Sequence, residues 1–520
     1  MRTRVAVSVA VVWLALAAPR LAAAEEAAAF SVQEIESRGR TVTAEIADLD
    51  GDGRQDLLQA VTFEMPPNER RVLRAHLQAA DGSIPATPTL VIPIPSESAA
   101  YDIAEADGVP GADLLLLRPR GIGIVSFARG DGGNLVAKVR DAKVPDDLTI
   151  GVSSDERGLD RLQIAFDGLG ERPWLVAPGL GETFLLDADG TLRARIASGA
   201  RANFFVPPSG PMLSESDIQI FLDAARISVS DVNGDGRADL IVSQRHQLLL
   251  FYRNEDGSFD HDPSRALELG RLTFEDHIRG SGAVRSAARD IDGDGLADLI
   301  VSVAKGGVLN ASFDTSIYFN RGSGWDLEQA DYAFASPAVL GADQLIDFEG
   351  DGRLELLRIG IPLNVLELIE IFATQALDAN LKVYEIERPQ ARPDNANAGP
   401  VRFELKIDLP LDFQTSRPVG FVPTVEYDFN GDGVRDYITS ANGKRLEVFV
   451  GDPAQGFPSR SARQTLATEG QIRPGDLNGD GLTDLVLFNS RRDNQPVRLL
   501  TNRGELPGTR VKPVIEAQPE

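Results

Sequence analysis

Six short segments of the chain carry acidic residues at alternate positions around two glycines. Each follows a nine-residue pattern, acid-x-(Asp, Asn or Glu)-Gly-Asp-Gly-x-x-acid. The six segments begin at Asp48, Asp231, Asp290, Asp347, Asp428 and Asp476. Because a pattern of this length recurs six times in one chain, we expect the six loops to share one structure and one chemistry.

Alternating oxygen ligands suit a hard divalent cation. Calcium takes about six to eight oxygen ligands from carboxylates, amides and backbone carbonyls, and the glycines at positions 4 and 6 let the chain wrap around an ion because glycine tolerates positive φ. The sequence therefore predicts about six Ca²⁺ sites, with side-chain ligands at positions 1, 3, 5 and 9 and the backbone carbonyl of position 7. The predicted ligands are Asp48, Asp50, Asp52, Arg54, Asp56, Asp231, Asn233, Asp235, Arg237, Asp239, Asp290, Asp292, Asp294, Leu296, Asp298, Asp347, Glu349, Asp351, Arg353, Glu355, Asp428, Asn430, Asp432, Val434, Asp436, Asp476, Asn478, Asp480, Leu482 and Asp484.

Two other interpretations of the loops are weaker. An EF-hand needs Glu at position 12 and flanking helices, whereas position 12 is Gln59 in the loop from Asp48 and Val242 in the loop from Asp231, and strand-like runs flank both. A turn rich in Asp and Gly without a metal is the second alternative. It would leave several carboxylates close together without compensation, which is unfavourable.

Two further segments look like decayed copies of the loop. The one from Glu105 (EADGVPGAD) has Val109 at position 5, and the one from Ala165 (AFDGLGERP) keeps the glycines but loses most ligands. With these included, successive copies lie about 60 residues apart, which is typical of a repeated supersecondary unit.

Short strand-like runs surround every loop. The run Arg226–Ser230 precedes the loop from Asp231, the aliphatic run from Asp239 follows it, a third run covers Leu248–Tyr252, and Asn254–Gly257 predicts a turn before a fourth run. Such a unit is typical of a propeller blade. The sequence therefore predicts an all-β propeller of eight four-stranded blades, or of seven if one decayed copy lies in an irregular segment. Either Phe30–Glu34 or Val511–Ile515 could complete the last blade.

The loops resemble those of FG-GAP/VCBS-type repeats, the family that includes the propeller of integrin α subunits. The resemblance covers nearly the whole chain after the first residues. It implies a calcium loop that joins neighbouring strands of a blade and rigidifies it, with the first residue of each of the six loops opening a metal site. The motif is specific for calcium and for the fold, and it implies nothing about activity.

One spacing is longer than the others and indicates an insertion at about 361–400. Its segment Pro362–Asp378 has apolar residues at helical spacing, including Val365, Leu368, Ile369 and Phe372. We expect a short helix here. It is either a cap packed on the propeller or a docking element for a partner.

The N-terminal residues 1–24 have the features of a signal peptide. Arg2 and Arg4 precede an apolar run, and Ala22–Ala24 offers a cleavage site. We therefore expect a secreted or periplasmic protein whose propeller spans 25–520, without a membrane span after cleavage. The chain has no Cys and a net charge of −26, which excludes disulfides and opposes binding to nucleic acid. We expect a monomer.

The sequence offers weak evidence for catalysis. The four histidines, His76, His246, His261 and His277, show no metal-ligand spacing, and no catalytic motif of a hydrolase or nucleotide-binding protein occurs. We therefore expect no enzyme but a protein- or glycan-binding or scaffolding module in the cell envelope or outside the cell. The alternative is a calcium-dependent polysaccharide lyase that uses Arg118, Arg120, Arg245, His246 and Arg253.

Overall fold

The computed structural model describes most of the chain from residue 28 onward. The described ranges are 28–64, 70–130, 134–144, 159–179, 181–198, 202–205, 219–222, 226–244, 246–270, 282–306, 312–362, 374, 376–412, 417–421 and 423–510. Their secondary structure is almost entirely β-strand, arranged in eight blades of four antiparallel strands that form a ring. The prediction of an eight-bladed, all-β propeller is confirmed.

The strands follow the chain from blade to blade, and only the first strand lies out of order. Strand β1 (Phe30–Ile35) belongs to blade 8. Blade 1 contains β2 (Arg40–Ala47), β3 (Asp56–Phe63), β4 (Arg70–His76) and β5 (Leu90–Ile94), and blade 2 contains β6 (Ala100–Ala104), β7 (Asp113–Arg118), β8 (Gly121–Arg129) and β9 (Leu135–Lys143). Blade 3 contains β11 (Ala165–Phe166), β12 (Trp174–Pro178), β13 (Thr183–Leu186) and β14 (Leu192–Ile196), and blade 4 contains β17 (Arg226–Ser230), β18 (Asp239–Ser243), β19 (Gln247–Phe251) and β20 (Arg265–Glu268).

Blades 5 to 8 repeat the arrangement in the second half of the chain. Blade 5 contains β21 (Gly282–Arg289), β22 (Asp298–Lys305), β23 (Ser312–Tyr318) and β24 (Tyr332–Ser336), and blade 6 contains β25 (Ala338–Ile346), β26 (Glu355–Pro362), β27 (Ala376–Tyr384) and β28 (Val401–Asp412). Blade 7 contains β30 (Thr424–Tyr427), β31 (Asp436–Ala441), β32 (Arg445–Phe449) and β33 (Ala462–Thr465). Blade 8 contains β34 (Gln471–Gly475), β35 (Asp484–Phe488) and β36 (Val497–Asn502), with β1 as its fourth strand.

The two ends of the chain close the ring by sharing blade 8. Strand β1 pairs antiparallel with β36, from Phe30 opposite Asn502 to Ile35 opposite Val497. Of the two sequence alternatives for this closure, Phe30–Glu34 is therefore the correct one, and Val511–Ile515 lies outside the described residues. A ring closed in this way leaves neither end blade with an uncovered face.

The core consists of apolar layers between neighbouring blades. In β7, Leu114 and Leu116 pack toward blade 1, whereas Leu115 and Leu117 pack toward blade 3, because successive side chains of a strand point to opposite faces. Eight such clusters of buried residues join the blades pairwise, including one between blades 8 and 1. The middle strands are buried on both faces, which is why their sequences are continuous aliphatic runs.

Three features depart from the regular blade, and the sequence predicted none of them correctly. Strand β10 (Asp160–Arg161) adds to blade 2 in parallel with β6, β15 (Ala202–Phe205) and β16 (Gln219–Leu222) form a separate hairpin before blade 4, and β29 (Arg417–Pro418) pairs with the end of β28.

The predicted helix Pro362–Asp378 is wrong at both ends. Pro362 is the last residue of β26, and the residues from Ala376 onward belong to β27, where they pair with β28. In the interior of the predicted helix the structure describes only Thr374, which is helical as predicted, and the other interior residues lie outside the described ranges. Long strands in a twisted sheet bury alternate apolar residues, so the pairing of β27 with β28 overrides the local helical pattern at that end.

Candidate metal centres

All six acidic loops occupy the same place in their blades, between the first and second strands. In every case position 1 directly follows the first strand, and position 9 is the first residue of the second strand. Since antiparallel strands alternate in direction, the six loops lie at the same end of the blades, with the connections between third and fourth strands. The repeat thus places thirty candidate ligand residues on one side of the ring.

Position 1 organises the turn itself. In the loop from Asp231, the carboxylate oxygens accept hydrogen bonds from the N–H groups of Gly234 and Gly236 at 2.7 and 2.8 Å. Both glycines have φ near +80°, a conformation that strains residues with a side chain. The same bonds recur in the loops from Asp48, Asp290 and Asp428. The two glycines of the motif therefore serve the turn as the sequence predicted.

Position 9 ties each loop to the rest of its blade. One oxygen of Asp298 accepts the N–H of Ile291, at position 2 of the same loop, at 3.0 Å, and the other accepts the N–H of Asn320 at 2.8 Å, just beyond the third strand. Asp56, Asp239, Asp436 and Asp484 make the equivalent pair of bonds. These carboxylates are buried. Position 9 is thus a structural hydrogen-bond acceptor in addition to its predicted role as a ligand.

Burial raises the pKa of the position-9 carboxyls, because it disfavours the charged form. The pKa of Asp56 rises to about 6, and those of Asp298, Asp436 and Asp484 rise to about 7. Neighbouring loop acids raise each pKa further, whereas the backbone N–H donors lower it. A nearby cation would favour the ionised form of these groups.

The residue held by position 9 reaches on to the neighbouring blade. Asn320 donates its side-chain amide to the carbonyl of Val232 in the loop of blade 4 at 2.8 Å, and Asn502 donates to Phe429 in the loop of blade 7 at 2.7 Å. Gln78 makes the same contact with Leu477 in the loop of blade 8. Each of these three contacts connects the acidic loop of one blade to that of the next. We therefore expect the conformation of each loop to depend on its neighbour.

Two loops bring three carboxylates close enough to share one ion. Oxygens of Asp48, Asp50 and Asp56 lie within 4.8 Å of one another, and so do those of Asp290, Asp292 and Asp294. The Asp50 side chain is fully buried, and its Oδ1 has no hydrogen-bond partner among the described residues. A buried carboxylate oxygen without a donor is expensive, so the donor set fits a hard cation. The loops from Asp231, Asp428 and Asp476 have Asn at position 3, which supplies a neutral oxygen instead.

Arginines from outside the loop contact three of the six loops. Arg129, at the end of β8, lies 2.6 Å from Asp50 and 2.8 Å from Asp52 in blade 1. Arg388 lies 2.9 Å from Asp292 in blade 5 and also contacts Asp294. These contacts were not predicted from the sequence, because the partners lie far apart along the chain.

Arg402 makes the third such contact. It lies in β28 and pairs with Glu349, at position 3 of the loop of its own blade, and lies 3.6 Å from Glu355. It also donates to the carbonyl of Pro453 in blade 7 at 3.2 Å. In all three cases the position-3 residue is an acid.

The two decayed loops keep part of the architecture without the full ligand set. Asp113, at position 9 of the loop from Glu105, accepts the N–H groups of Ala106 and Asp107, each at 3.0 Å. In the loop from Ala165, Gly168 retains a positive φ, but of the four acidic ligand positions only position 3, Asp167, keeps an acid. In blade 2, the hydrogen bonds between the position-9 carboxylate and the loop are therefore kept although the acidic cluster is incomplete.

A groove of about 690 Å³ lies beside the decayed loop of blade 3. Trp174 lines it and packs edge-on against Phe166 and Phe259, with ring centroids 6.5 and 6.2 Å away. Four arginines and four acids also line it, so the lining has no formal net charge. They are Arg140, Arg172, Arg193 and Arg253, and Glu171, Asp187, Asp189 and Asp256.

The residues of the lyase alternative do not form one cluster. His246 precedes β19 and Arg253 follows it, so the two lie at opposite ends of one strand. Arg118 pairs with Asp141 of blade 2, and Arg245 lies outside the described residues. The structure therefore gives this group no common site.

Sequence comparison assigns the repeats. A family model described as an FG-GAP-like repeat matches residues 231–301 and 428–487. These ranges include the loops of blades 4, 5, 7 and 8, and the other blades repeat the same architecture. The chain is a β-propeller that contains FG-GAP-like repeats. No curated protein matches the chain significantly.

Many solved structures resemble the FG-GAP propeller at low sequence identity. They include a lectin from Agrocybe aegerita that recognises non-reducing terminal N-acetylglucosamine, with 14% identity, coverage of 90% of this chain and 86% of that chain, and a TM-score of 0.36. Sqt1 from Chaetomium thermophilum shows 12% identity, 86% and 93% coverage, and a TM-score of 0.40. BBS1N in complex with ARL6DN shows 9% identity, 79% and 93% coverage, and a TM-score of 0.31. Similarities at this level carry nothing further.

The FG-GAP propeller fold is typically non-catalytic and suggests a protein-binding module. Within the described ranges, the propeller contains no helix with the length and hydrophobicity needed to cross a lipid bilayer.

Proposed function

We propose that the protein is a calcium-braced scaffold that binds a protein or glycan partner outside the cytoplasm. One observation carries the calcium part of this proposal. The position-9 carboxylate belongs to the acidic cluster, and it also accepts the backbone N–H of a residue whose side chain contacts the next blade. In blade 8, Asp484 accepts the N–H of Asn502, and the Asn502 side chain donates to the carbonyl of Phe429 in blade 7. A cation at the loop would fix this carboxylate in its ionised form and thereby stiffen the contact between blades.

The proposed compartment agrees with the chemistry of the loops. Calcium loops of extracellular modules bind with dissociation constants on the order of 10⁻⁴ to 10⁻³ M, which suits surroundings rich in calcium. The chain has no Cys, so disulfides cannot stabilise it in an oxidising compartment. Calcium in the loops would add cross-links of a different kind.

A metal count and a melting experiment test the calcium part. We expect purified protein to contain up to about six Ca²⁺ ions per chain and to melt at a higher temperature in calcium than after chelation, because a ligand that binds only the folded state stabilises it. Magnesium should substitute poorly, since it requires stricter octahedral geometry. A metal-free protein with an unchanged melting temperature would contradict the proposal.

The groove beside blade 3 is the proposed contact for a saccharide. Its lining combines hydrogen-bond donors, acceptors and one tryptophan without net charge, which suits an uncharged ligand with many hydroxyl groups. Arg140 supports this, because its Nε and Nη2 atoms are buried and have no hydrogen-bond partner among the described residues. Pockets of roughly 300–1,000 Å³ are typical of small-ligand sites.

A binding assay with neutral and acidic oligosaccharide arrays tests this site. We expect binding of neutral saccharides that Trp174→Ala weakens about tenfold or more and that Trp174→Phe partly retains, since stacking on an aromatic ring survives in Phe. Val91→Ala, on an exposed strand of blade 1, is the control. Binding that Trp174→Ala leaves intact would exclude the groove, and binding of envelope proteins alone would favour a protein partner.

A further inference from the structure

The six complete loops fall into two classes that differ at position 3. In blades 1, 5 and 6 this residue is an acid, and in blades 4, 7 and 8 it is an asparagine. The acidic class comprises the loops from Asp48, Asp290 and Asp347, and the asparagine class comprises the loops from Asp231, Asp428 and Asp476. Positions 1 and 5 are aspartate in all six loops, so position 3 decides the charge.

Every acid at position 3 has an arginine partner from outside its loop. Arg129 pairs with Asp50, Arg388 with Asp292 and Arg402 with Glu349. Within the described ranges, no lysine or arginine from outside the loop pairs with an acid of the asparagine class. Counting only positions 1, 3, 5 and 9, an acidic loop with its arginine therefore has the same formal charge as an asparagine loop without one.

The two classes also satisfy position 5 in different ways. In the asparagine class, the side-chain amide at position 3 donates to Oδ2 of the position-5 aspartate, at 3.0 Å from Asn233 and 2.9 Å from Asn430 and Asn478. In blade 1, Arg129 donates to Oδ2 of Asp52 at 2.8 Å. Arg388 contacts Asp294 in the same way in blade 5. An arginine supplies the donor that the asparagine would have supplied.

We infer that Arg129, Arg388 and Arg402 are internal counter-ions that compete with calcium for the loops of blades 1, 5 and 6. This inference rests on the proposed calcium sites. A guanidinium bound to position 3, and also to position 5 in blades 1 and 5 or to position 9 in blade 6, occupies oxygens that an ion needs, and it must move before calcium binds. The acidic loops are therefore the weaker calcium sites, and the asparagine loops of blades 4, 7 and 8 are the stronger ones.

The same arginines cross-link blades, which gives calcium binding a structural consequence. Arg129 reaches from blade 2 to blade 1, Arg388 reaches from blade 6 to blade 5, and Arg402 also donates to Pro453 of blade 7. Calcium would replace a contact between blades with a contact within one loop at two junctions, between blades 1 and 2 and between blades 5 and 6. At these two junctions the arginine adds to the contact between blades at low calcium, and the ion orders the loop at high calcium.

Calorimetric calcium titrations of the full-length protein test the inference. We expect two groups of sites in the wild-type protein. Arg129→Gln should tighten one weak site by about tenfold, because a hydrogen-bonded charge pair of this kind no longer opposes binding. In chelator the same variant should melt at a lower temperature, since Asp50 and Asp52 lose their partner. Arg388→Gln provides an independent second site if Arg129→Gln fails to fold.

A charge-matched variant and a control complete the design. Arg129→Gln combined with Asp50→Asn recreates the asparagine class and should recover the melting temperature in chelator. Arg321→Gln removes a comparable ion pair, with Asp331 at 2.7 Å, that involves no loop, and it should leave calcium affinity unchanged.

Unchanged affinity in both Arg129→Gln and Arg388→Gln would overturn the inference. If the wild-type protein binds no calcium, the proposed function fails. The arginines' role as counter-ions would still be supported if Arg129→Gln lowers melting in chelator and Asp50→Asn restores it, and would fall if neither occurs.

Discussion

The acid at position 9 has two roles that substitution can separate. Asp484 is buried and accepts two backbone N–H groups, whereas Asp480, at position 5 of the same loop, accepts one at its edge. We expect Asp484→Asn to cost about 1–3 kcal/mol of unfolding free energy even without calcium, because the amide leaves one buried donor unpaired. Urea denaturation in chelator measures this cost.

Asp480→Asn is the matched control for that variant. The amide oxygen of the variant side chain can still accept the N–H of Leu482, which Asp480 accepts at 2.8 Å, whereas the bond from the Asn478 amide is lost at an exposed position. Stability in chelator should therefore change by less than about 1 kcal/mol. In calcium, both variants should lose stabilisation relative to the wild type. If Asp484→Asn lowered the unfolding free energy in chelator as little as Asp480→Asn does, position 9 would act only as a ligand.

The raised pKa values of the position-9 carboxyls predict an unusual pH dependence. In the unfolded chain these groups titrate near pH 4, whereas in the metal-free folded protein the pKa of Asp298, Asp436 and Asp484 is about 7. The folded state thus binds protons more tightly. The contribution of these groups to the free energy of unfolding is fully present below about pH 4 and declines as the pH rises through 7.

Thermal melting at pH 5, 6.5 and 8 measures this effect. We expect the melting temperature of metal-free protein to fall over this range, and calcium to reduce or reverse the fall because it binds the ionised carboxylates. A melting temperature that rises with pH in metal-free protein would contradict the assignment of these three residues as the dominant titrating groups.

The sequence predicted the residues of the loops but not all of their contacts. The alternating acids and glycines follow from the repeat, since they act within nine residues. The arginines that pair with them lie 77, 94 and 53 residues away from Asp52, Asp294 and Glu349, and only the ring brings them together. A weaker signal existed for the contacts between blades, because Asn-Arg-Gly recurs at 320–322 and 502–504.

At the scale of the element, the closing strand β1 is anchored by a buried residue at each end, Phe30 and Ile35. Phe30 is fully buried, packs edge-on against Phe429 at 5.7 Å, and exchanges two hydrogen bonds with the Gln464 side chain of blade 7. We expect Phe30→Ala to cost about 3–5 kcal/mol of unfolding free energy, since it leaves a cavity in the core. Urea denaturation measures the cost.

Val32 provides the control within the same strand. Its side chain is 42% exposed, so Val32→Ala should change the unfolding free energy by less than about 0.5 kcal/mol. If Phe30→Ala were equally mild, the ring would not depend on β1 for its closure, and the last blade would be stable with three strands.

The elements that the sequence missed are those without a repeat. The blades recur, so eight imperfect copies of one pattern reinforce each other in the prediction. The hairpin of β15 and β16 occurs once, and the segment Pro362–Asp378 has helical spacing although its described ends are strands. Local periodicity cannot separate these cases, because pairing with a distant strand decides the outcome.

At the scale of the whole molecule, the excess of negative charge destabilises the folded ring. The chain contains 78 acidic and 52 basic residues apart from histidine, and self-repulsion destabilises a compact state with such an excess. The arginine contacts relieve this repulsion at three loops. Calcium at all six would relieve it further, with two positive charges placed where the acids are densest.

This balance predicts how salt and calcium act on the metal-free protein. Raising NaCl from about 0.01 to 0.3 M shortens the screening length from about 30 Å to less than 10 Å, so we expect the melting temperature to rise. Calcium compared with NaCl at equal ionic strength should raise it further, because screening acts on all charges whereas ions in the loops also fix the contacts between blades. Equal melting temperatures at equal ionic strength would mean that calcium acts only as a screening ion, and the loops would then be turns without a metal.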